Sequence, residues 1–451
     1  MMFYSVNPYT QELMKSFENH SAAEIEKRLH LAEAAYADWR ALSIAQRAAL
    51  FERCAAILLE RKEEFARLIT LEMGKIIREA RSEVEKCALA CQYYASNTAK
   101  FLAEEPISTE AAESFIAYRP LGAVFAIMPW NFPFWQLFRF ACPALMAGNV
   151  TLVKPAPNVA QCALAIESIF YEAGFPEGVF QSLLISVEQV ESIIAQPIIQ
   201  AVTFTGSERA GAAVAKIAGK YIKKIVLELG GSDAFIVLPD ADLHYTAEMA
   251  VKSRMINNGQ SCLAAKRFIL HTEIEKEFIG ILSEKVTALK HGNPLDEKTD
   301  YSVIARNDLA YSLAHQVESS LNLGAKLIIG GKHKGTYYEP TIIRKLKTGM
   351  LAHDEELFGP IFGCITAKTE EETIQIANHS KYGLGASIWT KDTEKAKKMA
   401  AFIEAGCVFI NETVRSDVRV PFGGVKKSGY GRELSYIAMR EFCNIQSVWI
   451  K

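Results

Sequence analysis

The chain has 451 residues, of which half are hydrophobic and 23% are charged, and its formal net charge is −2 at pH 7. This composition predicts a globular protein of two or three domains, and the near-neutral charge argues against a nucleic-acid-binding or membrane-binding surface. No apolar run is long enough for a transmembrane helix, and the N-terminus lacks the pattern of a secretory signal, so we expect a cytoplasmic protein.

The nine cysteines are scattered along the chain and form no CxxC pair. Cys87 and Cys91 lie four residues apart on a helical pattern with no histidine nearby, which favours a helix face over a metal site. We therefore predict free thiols in a reducing compartment, with neither a disulfide framework nor a bound metal.

Taken in chain order, residues 21–103 are predicted to be helical, with capping boxes at Ser21-Ala-Ala-Glu24 and Ser43-Ile-Ala-Gln46. Strands and helices then alternate. Predicted strands are 124–128, 150–153, 179–185, 201–204, 234–237, 267–271, 326–329, 361–367, 384–389 and 407–410. Predicted helices are 135–146, 158–174, one from 208, 242–256, 273–290, 307–322, 370–378 and 392–400. Such alternation predicts an α/β fold of parallel βαβ units in two domains that meet near Gly230-Gly231, with ligands at the carboxyl ends of strands.

One cysteine lies in a distinctive setting, at the end of Asn257-Asn258-Gly259-Gln260-Ser261-Cys262 and just before an apolar run at 267–270. Small residues before a cysteine let backbone N–H groups approach the group that the sulfur attacks. This arrangement suits a nucleophile whose adduct carries an oxyanion. By itself the motif is weak, since most free cysteines are buried and inert.

Two further motifs contain groups that such a thiol needs. Asn131, within Pro129-Trp-Asn-Phe-Pro133, is a neutral N–H donor that does not titrate, although the motif is also compatible with a proline-rich turn. Glu228 lies in the apolar run Leu227-Glu-Leu-Gly-Gly231, where a raised pKa would suit a general base. The alternative is a glutamate at a strand edge that faces water.

Residues 204–211, Phe-Thr-Gly-Ser-Glu-Arg-Ala-Gly, form a predicted strand-to-helix turn whose free N–H groups favour a phosphate. The turn matches neither GxGxxG nor Walker A, so a purely structural turn is about equally consistent. Lys154-Pro155-Ala156-Pro157 ends a strand where a lysine could bind ribose hydroxyls, but spacing alone favours a solvated strand end.

These motifs occur together in one order. They are Asn131 in PWNFP, Lys154 in KPA, FTGS at 204–207, Glu228 in LELGG, Cys262 in NNGQSC, Glu356 and Phe358 in EELFGP, and PFGGVKKSG at 421–429. With them the chain resembles the aldehyde dehydrogenase superfamily over nearly its whole length. Within the superfamily it is most similar to the short bacterial NAD(P)-dependent succinate-semialdehyde dehydrogenases.

The resemblance implies that Cys262 attacks the aldehyde, that Asn131 and the Cys262 backbone N–H hold the oxyanion, and that Glu228 activates water. It places NAD or NADP against Trp130, Lys154, Pro155, Ala156, Pro157, Gly206, Ser207, Leu229, Glu356 and Phe358. Relatives strict for NAD often carry a glutamate where this chain has Pro157. The absence of that carboxylate permits NADP without selecting it.

For the substrate, the resemblance assigns Arg139 and Ser416 to the distal carboxylate of succinate semialdehyde, and Ser261 is a further candidate for the pocket. A salt bridge on a helix face is the competing interpretation of Arg139. A second arginine of some relatives is Ile256 here, so carboxylate capture should be weaker or arranged differently. A second cysteine of some relatives is Ala264, so no disulfide switch is expected beside the nucleophile.

The implied architecture is a dinucleotide-binding domain of residues 1–104 and 122–229, a catalytic domain of residues 230–432, and a small β oligomerisation arm of residues 105–121 and 433–451. We expect a homodimer or homotetramer, because exposed strand edges favour pairing with another chain.

Three alternatives remain at this stage. The first is an aldehyde dehydrogenase of broad specificity. The second is a cysteine hydrolase with His244 or His271 as its base, and the third is a non-catalytic protein on the same fold.

Overall fold

The computed structural model describes residues 2–451. Its helices are α1 (Ala22–Ala41), α2 (Ile44–Glu60), α3 (Lys62–Met73), α4 (Ile77–Phe101), α5 (Trp135–Met146), α6 (Ala160–Glu172), α7 (Val190–Ile194), α8 (Glu208–Lys220), α9 (Leu243–Met255), α10 (Glu275–Thr287), α11 (Asn307–Asn322), α12 (Leu351–Asp354), α13 (Glu370–Asn378), α14 (Thr393–Ala400) and α15 (Ser435–Glu441).

The strands form six sheets. They are β1 (Met2–Val6), β2 (Leu13–Glu18), β3 (Glu105–Pro106), β4 (Glu113–Pro120), β5 (Ala123–Ile127), β6 (Val150–Lys154), β7 (Phe180–Ser182), β8 (Ile199–Thr205), β9 (Lys224–Glu228), β10 (Asp233–Val237), β11 (Ala265–His271), β12 (Lys326–Ile329), β13 (His333–Lys334), β14 (Tyr337–Tyr338), β15 (Thr341–Arg344), β16 (Ile361–Ala367), β17 (Tyr382–Gly383), β18 (Gly385–Trp389), β19 (Cys407–Ile410), β20 (Val425–Lys426), β21 (Gly429–Tyr430) and β22 (Cys443–Ile450).

Local sequence signals explain where the first helices begin. The Ser43 hydroxyl accepts from Gln46 N while the Gln46 side chain accepts from Ser43 N, so this capping box forms in full. At Ser21 only the first of these two bonds is present. Helix α3 ends at Gly74, which has a φ of 79° that a side chain rarely tolerates.

The first large sheet has the order β21-β9-β8-β5-β6-β7, with β5 to β9 parallel. From β5 the chain moves outward to β6 and β7, whereas β8 and β9 lie on its other side. The strand order therefore reverses between β5 and β8, and a crevice forms there at the carboxyl ends of the strands, as expected for a ligand site in an open α/β sheet.

The second large sheet has the order β12-β15-β16-β11-β10-β18-β19 and is parallel except for β12. Only the four residues 229–232 connect the end of β9 in the first sheet to the start of β10 in the second. This short connection brings the amino-terminal edge of the second sheet to the carboxyl-terminal edge of the first.

A third sheet of order β22-β4-β3 contains the last strand of the chain. Strand β22 pairs with β4 along its whole length and leaves its other edge open. Its side chains Ile445 and Trp449 are 62% and 58% exposed. These features make β22 a candidate surface for association.

The predicted α/β fold with parallel sheets is confirmed, and helix α5 has the predicted bounds. The predicted strand 179–185 is shorter, at Phe180–Ser182. Residues 435–441, within the predicted arm, form helix α15, and β21 joins the first sheet although it falls in the predicted catalytic range. None of the helices that residues 2–451 form is both long enough and apolar enough to cross a membrane.

Candidate active site

The nucleophile motif forms a strained turn between α9 and β11. Asn257 and Asn258 both adopt left-handed backbone angles, with φ of 53°, a region that asparagine tolerates better than most residues. Gly259 follows with a φ of 79°, and a Cβ there would lie 2.4 Å from the backbone of Gly359. The sequence Asn-Asn-Gly therefore allows the chain to reverse sharply and present Cys262 just before β11.

Buried side chains hold this turn in place. Arg254 donates to the carbonyls of Gly259, Ala265 and Leu357. Lys266 Nζ donates to the carbonyls of Ser261 and Cys262, at 2.8 and 2.6 Å. Because these cations satisfy carbonyls that the turn leaves without secondary-structure partners, they fix the backbone on both sides of the sulfur.

Cys262 lies in a cavity of about 250 Å³ between the two large sheets. The lining residues are Pro129, Trp130, Asn131, Gln136, Thr205, Gly206, Ser207, Glu228, Leu229, Gly230, Cys262, Leu309, Glu356 and Phe358. The structure thus brings Asn131, Glu228 and Cys262 together although they come from three separate parts of the chain. Of the other eight cysteines, only Cys407 is not fully buried.

The electrostatic environment keeps the resting sulfur protonated. Burial raises the pKa of the Cys262 thiol to about 12, while Lys266 and Arg139 act in the opposite direction. The two cations would favour the thiolate once it forms, because opposite charge nearby stabilises an ionised group.

Glu228 ends strand β9 and is 2% exposed. Burial raises its pKa well above the usual value, and the nearby Glu433 carboxyl raises it further. Its Oε1 makes no hydrogen bond. A Cβ at Gly423, whose φ is 153°, would lie 2.7 Å from Oε1, so only glycine leaves room for this carboxyl. A neutral, unpartnered carboxyl beside a thiol is able to accept a proton from a bound water once it ionises.

The Asn131 side chain donates to the carbonyl of Gln260 at 3.0 Å, and its own backbone carbonyl accepts from Asn257 Nδ2 at 2.7 Å. An amide nitrogen has two N–H groups, so one stays free for the cavity. The arrangement places a neutral donor against the nucleophile loop, where an oxyanion donor is required.

Six of the ten residues predicted for the cofactor line the cavity. These are Trp130, Gly206, Ser207, Leu229, Glu356 and Phe358. The Trp130 and Phe358 rings meet edge to face, 5.8 Å apart. Ser207 caps helix α8 by accepting from Ala210 N, so the amino terminus of this helix opens on the cavity. Thr205 Oγ1 is buried beside it without a hydrogen-bond partner. A free helix terminus with an unpartnered hydroxyl fits the phosphates of a dinucleotide.

Glu356 is oriented by two donors. Its Oε1 accepts from Gly231 N at 3.1 Å and lies 3.1 Å from Lys266 Nζ. A Cβ at Gly230 would lie 2.3 Å from Glu356 Oε2, so this approach also needs glycine. Since Lys266 also holds the Cys262 carbonyl, one ammonium group links the predicted ribose ligand to the nucleophile loop.

The other four predicted cofactor residues, Lys154, Pro155, Ala156 and Pro157, do not line this cavity. Lys154 is the last residue of β6, the neighbour of β5, and the other three follow it at the same carboxyl-terminal edge of the first sheet. Lys154 is buried, which lowers its pKa, and Pro157 is exposed at the start of a short 3-10 helix.

The three predicted substrate residues have different surroundings. The Arg139 guanidinium pairs with the buried Glu433 carboxyl and lies 4.7 Å over the Phe422 ring, yet its Nη2 has no hydrogen-bond partner. Ser416 is buried next to α5. Ser261 Oγ accepts from Leu263 N. None of the three residues lines the cavity around Cys262, so their roles in substrate binding stay predictions.

No histidine lines the cavity. His244 is exposed, and His271 lies at the far end of β11 from Cys262, with Nε2 at 2.9 Å from the Lys368 carbonyl. The geometry therefore offers no base of the cysteine-hydrolase type. Within residues 2–451, no group of three or more His, Cys, Asp or Glu side chains is placed to hold a metal ion.

Sequence reasoning missed several residues that shape the site. Arg254 and Lys266 belong to no recognised motif. Two cations on either side of a cysteine loop could nevertheless have predicted side chains that bind the carbonyl groups of that loop. Glu79 on α4 accepts from Asn257 N at 2.8 Å, and burial raises its pKa to about 7. Glu79 lies nearly 180 residues before the loop, so no local sequence pattern indicates that it contacts the loop.

Comparison with known proteins establishes the family. A family model described as the aldehyde dehydrogenase family matches residues 1–448. The chain belongs to this family, as the motifs predicted.

Three relatives resemble the chain over nearly their whole length. A probable succinate-semialdehyde dehydrogenase [NADP(+)] from Synechocystis sp. is 48% identical and covered in full, as is this chain. The succinate semialdehyde dehydrogenase [NAD(P)+] Sad of Escherichia coli is 47% identical over 99% of this chain and 97% of that protein. The crystal structure of succinic semialdehyde dehydrogenase from Streptococcus pyogenes, in complex with NADP+, superposes with a TM-score of 0.97 at 36% identity, covering 99% of both chains.

The raised pKa of Cys262 predicts how fast the thiol is alkylated in the protein without ligands. Below its pKa the thiolate fraction grows about tenfold per pH unit. We expect the rate of iodoacetamide labelling at Cys262, followed by mass spectrometry of its peptide, to rise continuously from pH 7 to pH 9. The buried Cys364 in the same digest is the control and should stay unlabelled. A rate that levels off below pH 8 would show that the thiol pKa is depressed instead.

Proposed function

We propose that the protein oxidises succinate semialdehyde to succinate with NADP as its preferred cofactor. The observation that carries the reaction type is the single cavity in which Cys262, Asn131 and Glu228 face residues suited to a dinucleotide. The substrate and the cofactor are supported by the names of relatives that are 44 to 48% identical over the full chain.

In the proposed mechanism, Cys262 releases its proton to solvent and its sulfur adds to the aldehyde carbon, so that the electron pair of the carbonyl bond moves onto the oxygen. The free N–H of Asn131 and the Cys262 backbone N–H donate to the oxyanion that forms. The nicotinamide ring supplies the hydride acceptor, and loss of hydride from the adduct leaves a thioester on Cys262. Glu228 in its ionised form then takes a proton from a water molecule as the water oxygen attacks the thioester carbon. The C–S bond breaks and the acid is released, and the sulfur receives the proton back from Glu228, which restores the thiol.

The lack of a carboxylate near the adenosine end of the cofactor favours NADP over NAD. No carboxylate stands at Pro157, so nothing at this position repels a 2′-phosphate. Lys154 ends the strand just before it and supplies a cation. Burial lowers the Lys154 pKa, which is the direction expected for an ammonium group that gains from an added anion.

A glutamate at position 157 tests the cofactor assignment. Pro157→Glu places a carboxylate at an exposed helix start, where the fold tolerates it. We expect kcat/KM for NADP to fall about tenfold or more, since like charges at close range cost on the order of 1 kcal/mol or more, while kcat/KM for NAD changes little. Pro157→Gln is the uncharged control. Equal effects of both variants on both cofactors would contradict the assignment.

The substrate assignment depends on a carboxylate-binding group beside the nucleophile. We assign this role to Arg139, whose charge acts on the Cys262 thiol, because its buried Nη2 has no partner although Glu433 balances its charge. A buried donor that lacks an acceptor costs free energy until a ligand satisfies it. A carboxylate suits a guanidinium in particular, through its two parallel acceptor positions.

Arg139→Lys tests this assignment and keeps a cation for Glu433. We expect kcat/KM for succinate semialdehyde to fall about tenfold or more, because one charge-assisted hydrogen bond is lost. Butanal, which has the same chain length but no carboxylate, should lose much less. Equal losses for the two aldehydes would reject the carboxylate role, and a wild-type enzyme without preference for succinate semialdehyde would favour broad specificity.

Cys262→Ala should bind NADPH yet turn over neither aldehyde.

We also propose that the enzyme is a cytoplasmic homo-oligomer, either a dimer or a tetramer. All nine cysteines are free thiols, as in proteins of a reducing compartment. The open edge of β22 supports assembly, because an unpaired strand with exposed apolar side chains gains hydrogen bonds and burial from a second chain.

A charge on β22 tests the assembly. Trp449→Glu should shift the mass measured by light scattering toward the 50.0 kDa monomer, because an unpaired carboxylate would be buried in the contact. Tyr171→Glu, at a 73% exposed aromatic on α6, is the matched control and should leave the mass unchanged. A wild-type mass of one chain would contradict the proposal.

A further inference from the structure

The hydroxyl oxygen of Ser416 accepts two hydrogen bonds beside helix α5. Lys86 Nζ, on α4, donates to Ser416 Oγ at 2.7 Å, and Trp135 Nε1 donates to the same oxygen at 3.1 Å. The Lys86 ammonium also lies 4.2 Å over the Trp135 ring. The two hydrogen bonds join residues that are 330 and 281 positions apart in the chain.

The unused hydrogen-bonding capacity at this point consists of donors. Because Ser416 Oγ accepts twice, its own O–H remains available to donate, and it has no acceptor within residues 2–451. Lys86 has three N–H groups and uses one of them for Ser416. Arg139, four residues after Trp135 on the same face of α5, has its buried Nη2 without a partner. Because the unused groups of this cluster are all hydrogen-bond donors, the cluster is suited to bind an anion.

The charge of Lys86 is not balanced by a carboxylate. Among the described residues no carboxylate oxygen lies within 4 Å of its Nζ. The charged and titratable groups around it are Glu83 and Cys87 on its own helix, Arg139 on α5 and Asp417 in the loop after β19. Glu83 pairs with Lys75, and Asp417 accepts twice from the Arg419 guanidinium. A half-buried cation without an anion is costly unless a ligand supplies the charge.

We propose that Lys86 is a substrate-binding residue that holds the distal carboxylate together with Ser416 and Arg139. Some relatives supply a second cation through an arginine at the position of Ile256. In this chain Lys86 supplies that cation from a different place. The proposal rests on the proposed function, since it presumes a substrate with a carboxylate. It gives Lys86 a role in specificity and none in bond making.

The charge state of Lys86 makes the selectivity dependent on pH. Burial and, to a smaller extent, the Arg139 charge lower its pKa to about 8. Above pH 8 the free enzyme therefore loses this cation. The ratio of kcat/KM for succinate semialdehyde to that for butanal should fall from pH 7 to pH 9.5, whereas effects on Cys262 act on both aldehydes and cancel in the ratio.

The test compares Lys86→Met, Lys86→Arg and Lys100→Met in the full-length enzyme with saturating NADP. Lys100 is an exposed lysine on the same helix. Lys86→Met should reduce kcat/KM for succinate semialdehyde about ten- to hundredfold, mainly through KM, with less than about a twofold change for butanal. Lys86→Arg should retain selectivity and remove its decline above pH 8, because a guanidinium stays charged. Lys100→Met should match the wild type.

Two results would overturn the role of Lys86. One is an unchanged ratio of the two aldehydes in Lys86→Met, and the other is a pH-dependent ratio that persists in Lys86→Arg. Thermal unfolding of each variant excludes a loss of fold, and Lys86→Arg provides the decisive readout if Lys86→Met is unstable. If the wild type itself does not prefer succinate semialdehyde, the proposed function fails. If the wild type prefers it and Lys86→Met keeps the preference, only the role of Lys86 fails.

Discussion

The site depends on a set of hydrogen bonds that joins the two large sheets. Asn131, after the central strand of the first sheet, donates to the Gln260 carbonyl, and Asn257, before a central strand of the second, donates to the carbonyls of both Asn131 and Gln260. The same contacts orient the oxyanion donor and the nucleophile. A change in the position of one sheet relative to the other would therefore misalign both groups together. Preorganisation of this kind is what an electrostatically assisted reaction requires.

Burial at this junction has a cost that the surrounding charges reduce. The thiol of Cys262 and the carboxyl of Glu228 both have raised pKa values, so the resting cleft holds neutral groups that must ionise during turnover. Lys266 and Arg139 are fixed close by through the backbone carbonyls and through Glu433. Their positive charge favours the ionised sulfur, and it is in place before the substrate arrives, so the protein need not reorganise when charge develops.

Sequence alone predicted the parts of the fold that depend on local patterns. The bounds of α5 and the complete capping box at Ser43 follow from periodicity and spacing, and the order of the motifs indicated one shared cleft. It could not predict contacts that only tertiary packing creates. Lys86 contacts Ser416 although more than 300 residues separate them, and no sequence pattern around either residue predicts this contact. Lys154 and Pro157 lie outside the cavity around Cys262, so the assignment of both to the cofactor, which the resemblance implied, stays a prediction.

Glu433 belongs to the same terminal segment as the exposed strand β22, with only α15 and a short turn between them. The tail thus carries the counter-ion of Arg139 as well as the surface suited to a second subunit. Deleting residues 433–451 to obtain a soluble single subunit would also leave a buried guanidinium uncompensated next to the substrate pocket. An inactive truncated protein would say nothing about whether assembly is needed for turnover. Substitutions on the outer face of the last strand separate the two questions.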